Sequence, residues 1–113
     1  MSKLSRQHLI DAVEDMKNLK EGWFDSIGEP ISYEAIKSAK EFISSFDNKL
    51  KFYSISPTVE GGILLEFKNG NWDSGVEFNS NDTISYFGVE ILGEGKFIKN
   101  CKINELTQLI NSQ

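Results

Sequence analysis

The sequence predicts an α+β fold in which two N-terminal helices and a short C-terminal helix pack on one face of a four- to five-stranded antiparallel sheet. Apolar residues recur at helical spacing up to residue 46, and beyond residue 50 they alternate with a period near two. This order of elements is typical of helices gathered on one side of an antiparallel sheet. The 113 residues predict one domain, 1–113, because two separate cores would be hard to build from so short a chain.

Serine residues mark where the two N-terminal helices begin, because a serine hydroxyl accepts a hydrogen bond from a backbone amide of the first turn. The first helix is predicted to follow Ser2 or Ser5 and to stop at Gly22, and the second is predicted to follow Ser32. The apolar residues of the second helix form one stripe at helical spacing: Ala35, Ile36, Ala39, Phe42, Ile43 and Phe46.

The connection between these helices, residues 22–32, carries three large apolar side chains, those of Trp23, Phe24 and Ile27. Burial of apolar side chains of this size lowers the free energy of the folded protein. We therefore expect the loop to fold over the core. If its apolar side chains are instead exposed, the loop becomes a secondary candidate for contact with a partner.

A β-hairpin turning at Asn69-Gly70 is the strongest local signal, because this pair is preferred in two-residue type I′ turns. The type I′ register places Phe67 opposite Trp72, so the indole is expected in the core, and it places Glu66 opposite Asp73. The face predicted to meet the helices holds Ile63, Leu65, Phe67, Trp72, Val76 and Phe78. The outer face is predicted to hold Leu64, Glu66, Lys68, Asn71, Asp73 and Glu77.

Strands on both sides of the hairpin complete the predicted sheet. A short strand covers residues 51–56, and residues 83–92 form a strand with a bulge at Gly88 that switches its faces. The chain then continues with a strand near Lys96–Cys101 and a helix capped by Asn104.

Charge is distributed unevenly along the chain, whose net charge is −5. Between Glu60 and Gly95 there are seven acids against one base, Lys68, which gives a net charge of −6. A surface that binds duplex nucleic acid normally has a basic patch, so this balance argues against direct nucleic-acid binding. It favours a protein partner with a basic surface, and nucleic-acid-binding proteins are one such class.

Five acids of this segment are the predicted partner-binding residues: Glu60, Glu66, Asp73, Glu77 and Glu90. Glu66 and Asp73, directly opposite each other in the type I′ register, could also act as acid and base in hydrolysis or belong to a site for a hard metal ion. A third interpretation is an acidic face that only keeps the protein soluble.

Candidate catalytic residues are few. His8 is the only histidine and Cys101 the only cysteine, and neither has a catalytic partner at a suitable spacing. The segment Gly93-Glu94-Gly95-Lys96 lacks the spacing of a phosphate-binding loop and is predicted to be a turn between strands. We therefore expect no enzyme activity, no catalytic residue, no metal and no cofactor.

The sequence also indicates a compartment. It contains no apolar run of the length that spans a bilayer, and its first residues lack the apolar centre of a signal peptide. A single cysteine cannot form an internal disulfide, which fits a reducing compartment. We expect a cytoplasmic protein without membrane contact.

A series of turn and cap residues runs from Trp23 to Tyr86. It consists of Trp23, Gly28-Glu29-Pro30-Ile31, Ala35-Ile36, Pro57-Thr58, Gly61-Gly62-Ile63 and Glu66-Phe67. The series resembles that of a group of small bacterial and phage-associated proteins without an established activity. This resemblance implies a fold and a mobile-element setting, and it assigns no catalytic residue.

Two functions are compatible with the sequence. The first is a non-enzymatic binding protein that masks a basic surface of its partner, as a phage counter-defence inhibitor, an antitoxin-like protein or an immunity-type protein would. A nucleic-acid mimic is the sharpest form of this hypothesis, because an array of carboxylates can occupy a phosphate-binding groove. The alternative is a small metal-assisted hydrolase that uses acidic residues of the sheet face.

Overall fold

Along the chain, two helices precede the strands and one helix follows them. The computed structural model describes residues 4–46, 50–90, 93 and 95–111, and of residues 96–100 the backbone alone. The helices are α1 (Arg6–Met16), α2 (Tyr33–Ser45) and α3 (Ile103–Asn111). The strands are β1 (Lys51–Pro57), β2 (Ile63–Asn69), β3 (Trp72–Phe78), β4 (Ile84–Glu90) and β5 (Gly95–Cys101). The predicted α+β class and antiparallel sheet are confirmed.

The strands lie in the sheet in the order in which they occur in the chain, each antiparallel to the next. Pro57 is the last residue of β1, which is an edge strand within the described residues. A proline is tolerated there because an edge strand leaves one row of N–H groups outside the ladder. Of the strand predicted at 83–92, residues 91 and 92 lie outside the described residues.

Serine caps begin both N-terminal helices. The Ser5 hydroxyl accepts from the amide of His8, and the Ser32 hydroxyl accepts from the amide of Ala35, each at 3.0 Å. Both caps were predicted, whereas Ser2 lies outside the described residues. The predicted cap at Asn104 is wrong, because α3 already begins at Ile103, and α1 ends at Met16, well before Gly22.

The hairpin between β2 and β3 turns one residue later than predicted. Asn69 pairs with Trp72, so Gly70 and Asn71 form the turn, and of these two only Gly70 has a positive φ, 61°. A glycine with positive φ at the first central position is the mark of a type II′ turn. The predicted type I′ turn at Asn69-Gly70 is therefore wrong.

Two features of the structure favour the observed register. The predicted register would place Glu66 directly opposite Asp73, whereas in the structure Lys68 lies opposite Asp73. Opposite charges across an antiparallel pair are favourable by about 0.2–1 kcal/mol, and like charges are unfavourable. Asn69 is 4% exposed, and its Nδ2 donates to the carbonyl oxygen of Ile110 in the last turn of α3 at 3.2 Å. A shift of two residues leaves every side chain on its predicted face.

Trp72 lies at the end of the hairpin and not in the core. It is half-buried and does not belong to the core cluster of buried residues. Phe67, its predicted neighbour, pairs with Ser74. The prediction that Trp72 packs beside Phe67 is wrong for this reason.

One core cluster joins all three helices to the sheet. The helices contribute Leu9, Val13, Met16, Ala35, Ile36, Ala39, Phe42, Ile43, Leu106 and Ile110. The ring centroid of Phe42 lies 6.0 Å from that of Phe67 and 5.8 Å from that of Phe78. We call the sheet face that bears Phe67 and Phe78 the inner face, and the opposite face the outer face.

Gly88 makes room for a buried tyrosine. The hydroxyl of Tyr86 is hydrogen-bonded to Oγ of Ser74 at 3.1 Å in the core, and a Cβ atom on Gly88 would lie 2.5 Å from that hydroxyl. β4 pairs with β3 without a shift of register, so the bulge predicted at Gly88 is wrong. The irregularity of β4 falls between Ile84 and Tyr86, where it meets β5.

Candidate functional site

Three of the five predicted binding acids lie on the outer face. Side chains alternate between the two faces along a strand, so Glu66 of β2 and Asp73 and Glu77 of β3 lie on the face opposite to the core residues. Lys68 is the only cation of these two strands. Within the described chain the salt bridges belong to a glutamate of α1, so Glu66, Asp73 and Glu77 form none. Among the described residues, the carboxylates of the outer face are therefore not neutralised by ion pairing.

Tyr53 fixes the position of one of these carboxylates. Its hydroxyl reaches from β1 over β2 and donates to Oδ1 of Asp73 at 2.7 Å. The register of β1 and β2 shifts between Phe52 and Ser54, and an irregularity of this kind redirects a side chain. The hydrogen bond to Asp73, burial, and the negative charges of Asp73 and Glu66 raise the pKa of Tyr53 to about 12. The phenol therefore stays a neutral donor at physiological pH.

Phe87 of β4 forms an apolar centre on the same face. A Cβ atom on Gly75 would lie 2.1 Å from a ring carbon of Phe87, so the ring covers this glycine of the neighbouring strand. An aromatic ring in this position supplies the packing that a glycine in a strand lacks. Leu64 and Val89 lie on this face too, and Val89 is exposed. Apolar residues bordered by charges are the usual layout of a protein–protein interface.

Glu77 and Glu60 bring two negative charges together at one end of the outer face. Burial, and then the negative charge of Glu60, raise the pKa of the Glu77 carboxyl above its ordinary value. A polar cleft of about 280 Å³ lies beside them, lined also by Thr58, Gly62, Asn79, Ser80, Asn81 and Thr83. A lysine or arginine of another molecule would relieve the repulsion between these two carboxylates.

Glu90 lies apart from the other predicted binding acids. It ends β4 opposite Trp72, and it alternates with Ile84 and Tyr86 of the inner face. The structure thus brings together Glu66, Asp73 and Glu77 on the outer face, with Glu60 in the turn beside them, and it places Glu90 on the other side of the sheet.

The loop between α1 and α2 contains a small hairpin. Phe24 and Ile27 exchange backbone hydrogen bonds of 2.7 and 2.8 Å around Asp25 and Ser26, whose φ angles are 50° and 69°. Trp23 packs against the core, whereas Phe24 and Ile27 are 54% and 57% exposed. The expectation that the loop folds over the core holds for Trp23 and is wrong for Phe24 and Ile27.

The candidate catalytic residues lie apart. His8 is exposed on α1, whereas Cys101 is buried, and its burial raises the pKa of the thiol. Among the described residues, no group of three His, Cys, Asp or Glu side chains is placed to hold a metal ion. No helix in the described ranges is both long enough and apolar enough to cross a bilayer.

Tyr53 and Phe87 are the site residues that the sequence did not indicate. A glycine inside a strand often marks the close approach of another group, so Gly75 was a usable signal for Phe87. Tyr53 offered none, because its direction depends on an irregularity between two strands.

Comparison with known proteins finds no matching family model, no matching curated protein sequence and no matching solved structure. The resemblance of the Trp23–Tyr86 stretch to phage-associated proteins therefore stays a prediction.

Proposed function

We propose that this chain is a non-enzymatic binding protein that masks a Lys- and Arg-rich surface of a partner protein with the outer face of its sheet. The observation that carries the proposal is the group formed by Glu66, Asp73 and Glu77, which have no ion pair within the described residues. The described cations on the same face of β1, β2 and β3 are Lys68 and, directly opposite it in β1, Lys51. The proposal takes all three helices to lie on the inner side, as their shared core supports, which leaves the outer face open to a partner.

The outer face combines two kinds of contact. Phe87, Leu64 and Val89 offer apolar area that a partner can cover, and the carboxylates around them select for positive charge. Asp73 is already held by Tyr53, so its direction need not be ordered when a partner binds. Complementary charge of this kind acts mainly on the association rate and on specificity.

Inhibition of a nucleic-acid-binding protein is the sharpest form of the proposal. Carboxylates spaced along two strands can occupy positions that backbone phosphates take in a basic groove. A counter-defence, antitoxin-like or immunity-type role would use the same surface. The mobile-element setting suggested by the sequence resemblance is compatible with each of these roles.

Charge reversal on the outer face tests the proposal. We expect E66K/D73K/E77K to slow association with an oligolysine probe and to remove the salt dependence of its binding, because exposed charges are screened beyond a Debye length of about 8 Å at physiological ionic strength. The matched control is D11K/D15K/E41K, which changes the net charge equally but places the reversals on exposed helix positions. Stopped-flow fluorescence at several salt concentrations provides the rates, and circular dichroism checks the fold.

Equal losses in the two triple variants would contradict the proposal, since the effect would then follow net charge and not the outer face. A melting temperature that rises with Mg²⁺, Mn²⁺ or Ca²⁺ in the wild type but not in E66K/D73K/E77K would favour the hydrolase alternative. A ligand that binds only the native state raises the melting temperature in this way.

A further inference from the structure

Exposed apolar side chains gather at one end of the molecule. The large hydrophobic residues exposed in the described part of the chain are Phe24, Ile27, Tyr33, Val59 and Val89. The first three belong to the segment 22–33, and Val59 lies in the turn after β1. A hydrogen bond of 2.8 Å from the amide of Glu29 to the carbonyl oxygen of Val59 joins the segment to this turn. Four of these five side chains therefore belong to two segments in direct contact.

Phe24 and Ile27 form a continuous apolar tip. They are directly opposed and share two backbone hydrogen bonds, and the side chains of such a pair project on the same side of a two-stranded ribbon. Each is more than half exposed. We call these two residues the apolar tip.

The apolar tip stands on a well-anchored base. The amide of Gly22 donates to the carbonyl oxygen of Gly28 at 2.8 Å, and Nε1 of Trp23 donates to the carbonyl oxygen of Glu29 at 2.7 Å. A Cβ atom on Gly28 would lie 2.8 Å from that Nε1, so the indole lies directly against the backbone here. A tip held in this way loses little conformational entropy when it binds, which preserves affinity.

Acids predominate in the two segments that carry these exposed apolar side chains, although Lys20 and Lys37 border the first segment. The acids of the two segments are Glu21, Asp25, Glu29, Glu34 and Glu60. Residues 21–36 and 52–67 contain no lysine, arginine or histidine. We call these five residues the acidic rim. Anionic lipid surfaces and a second copy of this end of the chain carry the same sign of charge, so both are repelled.

We propose that the apolar tip and its acidic rim dock a basic amphipathic helix of a partner protein. The apolar side of that helix covers Phe24 and Ile27, and its lysine and arginine side chains meet the rim carboxylates. This inference rests on the proposed function in taking the chain to be a binding protein, and it names a second surface and the chemistry that this surface recognises. Aromatic anchors with surrounding polar groups are the usual centre of such recognition.

Two synthetic helical peptides test the inference, a Leu/Lys amphipathic peptide and a counterpart in which serine replaces leucine. We expect the wild type to bind the Leu/Lys peptide about tenfold or more tightly than the Lys/Ser peptide, since buried anchor residues contribute at least that much. The F24S/I27S variant should lose this preference. The F24L/I27L variant, which retains an apolar tip, should keep it.

Amide shifts in nuclear magnetic resonance spectra locate the bound peptide and show that each variant is folded. Shifts at residues 22–29 on binding the Leu/Lys peptide support the inference. Equal affinity of the wild type for the two peptides, or a preference that survives in F24S/I27S, would overturn it. Self-association in sedimentation, or binding to anionic vesicles, that F24S/I27S abolishes would also overturn it, because the occupant would then be a second copy or a lipid surface.

The two proposals fail separately. If E66K/D73K/E77K binds the Lys/Ser peptide as the wild type does, the outer-face proposal fails, yet the extra affinity for the Leu/Lys peptide and its loss in F24S/I27S still support the tip. If the triple reversal weakens the binding of both peptides equally and the wild type shows no preference between them, the proposal for the apolar tip fails and the proposal for the outer face is supported.

Discussion

The hydrogen bond between Tyr53 and Asp73 crosses from the edge strand β1 to β3. It orients an otherwise exposed carboxylate, and it ties β1 to the outer face at a point where the strand register is irregular. Both groups depend on each other: the carboxylate keeps the phenol protonated, and the phenol fixes the carboxylate. A residue pair of this kind can be tested by titration.

The D73N variant should lower the pKa of Tyr53 from about 12 towards the ordinary value near 10, because the ionised acceptor that holds the proton is lost. In the wild type the folded-state pKa of Tyr53 lies above its unfolded value. Its contribution to stability is therefore complete below about pH 10 and is lost as the pH rises from about 10 to about 12.

Ultraviolet absorbance of tyrosinate measures this shift, and Y53F identifies the transition that belongs to Tyr53. A Tyr53 transition at the same pH in D73N and in the wild type would show that the hydrogen bond does not control the proton. The free energy of unfolding, followed against pH in both proteins, should show a smaller loss at high pH for D73N.

At the scale of elements, the sequence allows two registers for the β2–β3 hairpin, and the structure shows one of them. The observed register buries Asn69 against Ile110 of α3 and leaves Asn71 exposed in the turn. We expect N69A to reduce the free energy of unfolding by about 1–3 kcal/mol, because a buried hydrogen-bonding partner is left unsatisfied. We expect N71A to change it by no more than about 0.5 kcal/mol, as is usual for surface substitutions.

Urea unfolding curves of N69A and N71A provide this comparison. In the type I′ register Asn69 would be an exposed turn residue with positive φ, where glycine is as favourable as asparagine, so N69G would leave the stability nearly unchanged. In the observed register N69G loses the buried hydrogen bond as N69A does, so an N69G variant as stable as the wild type would contradict the register in the structure. The matched pair isolates the position, since both variants remove the same side chain.

Local chemistry explains which elements could be predicted from the sequence. The caps at Ser5 and Ser32 depend on residues within one helical turn, and the two faces of the hairpin depend only on alternation. A slip of two residues leaves that alternation unchanged, so it could not be detected from the pattern. A contact between residues 41 positions apart, Asn69 and Ile110, accompanies the observed register.

The candidate site was predictable to a similar extent. Glu66, Asp73 and Glu77 were placed on the outer face by alternation, and the structure agrees. Tyr53 joins them only because β1 lies beside β2 and is irregular at that point, which is a property of the assembled sheet. Phe24 and Ile27 contradict the rule that large apolar side chains leave water, and such departures from local rules concentrate at functional positions.

At the scale of the whole molecule, one core lies between two ends of the sheet, and each end carries one of the two tryptophans. Trp23 anchors the loop that contacts the turn after β1, whereas Trp72 lies beside the turn between β2 and β3, at the other end of the strands. Residues of α1, α2 and α3 all belong to the core between these ends. Both tryptophans therefore report on the same cooperative unit if the core unfolds as a whole.

We expect the chain to unfold in a single transition, with the same midpoint at both ends, because one continuous core leaves no part that can unfold alone. W23F retains Trp72 as the only fluorophore of its kind, and W72F retains Trp23. In each variant the tryptophan fluorescence and the far-ultraviolet circular dichroism are followed through the same urea titration, so a change in stability affects both signals alike. Coincident curves confirm the single transition. If Trp23 fluorescence in W72F changes at a lower urea concentration than the dichroism, segment 22–33 unfolds as a separate unit, and the apolar tip is not held in place by the core.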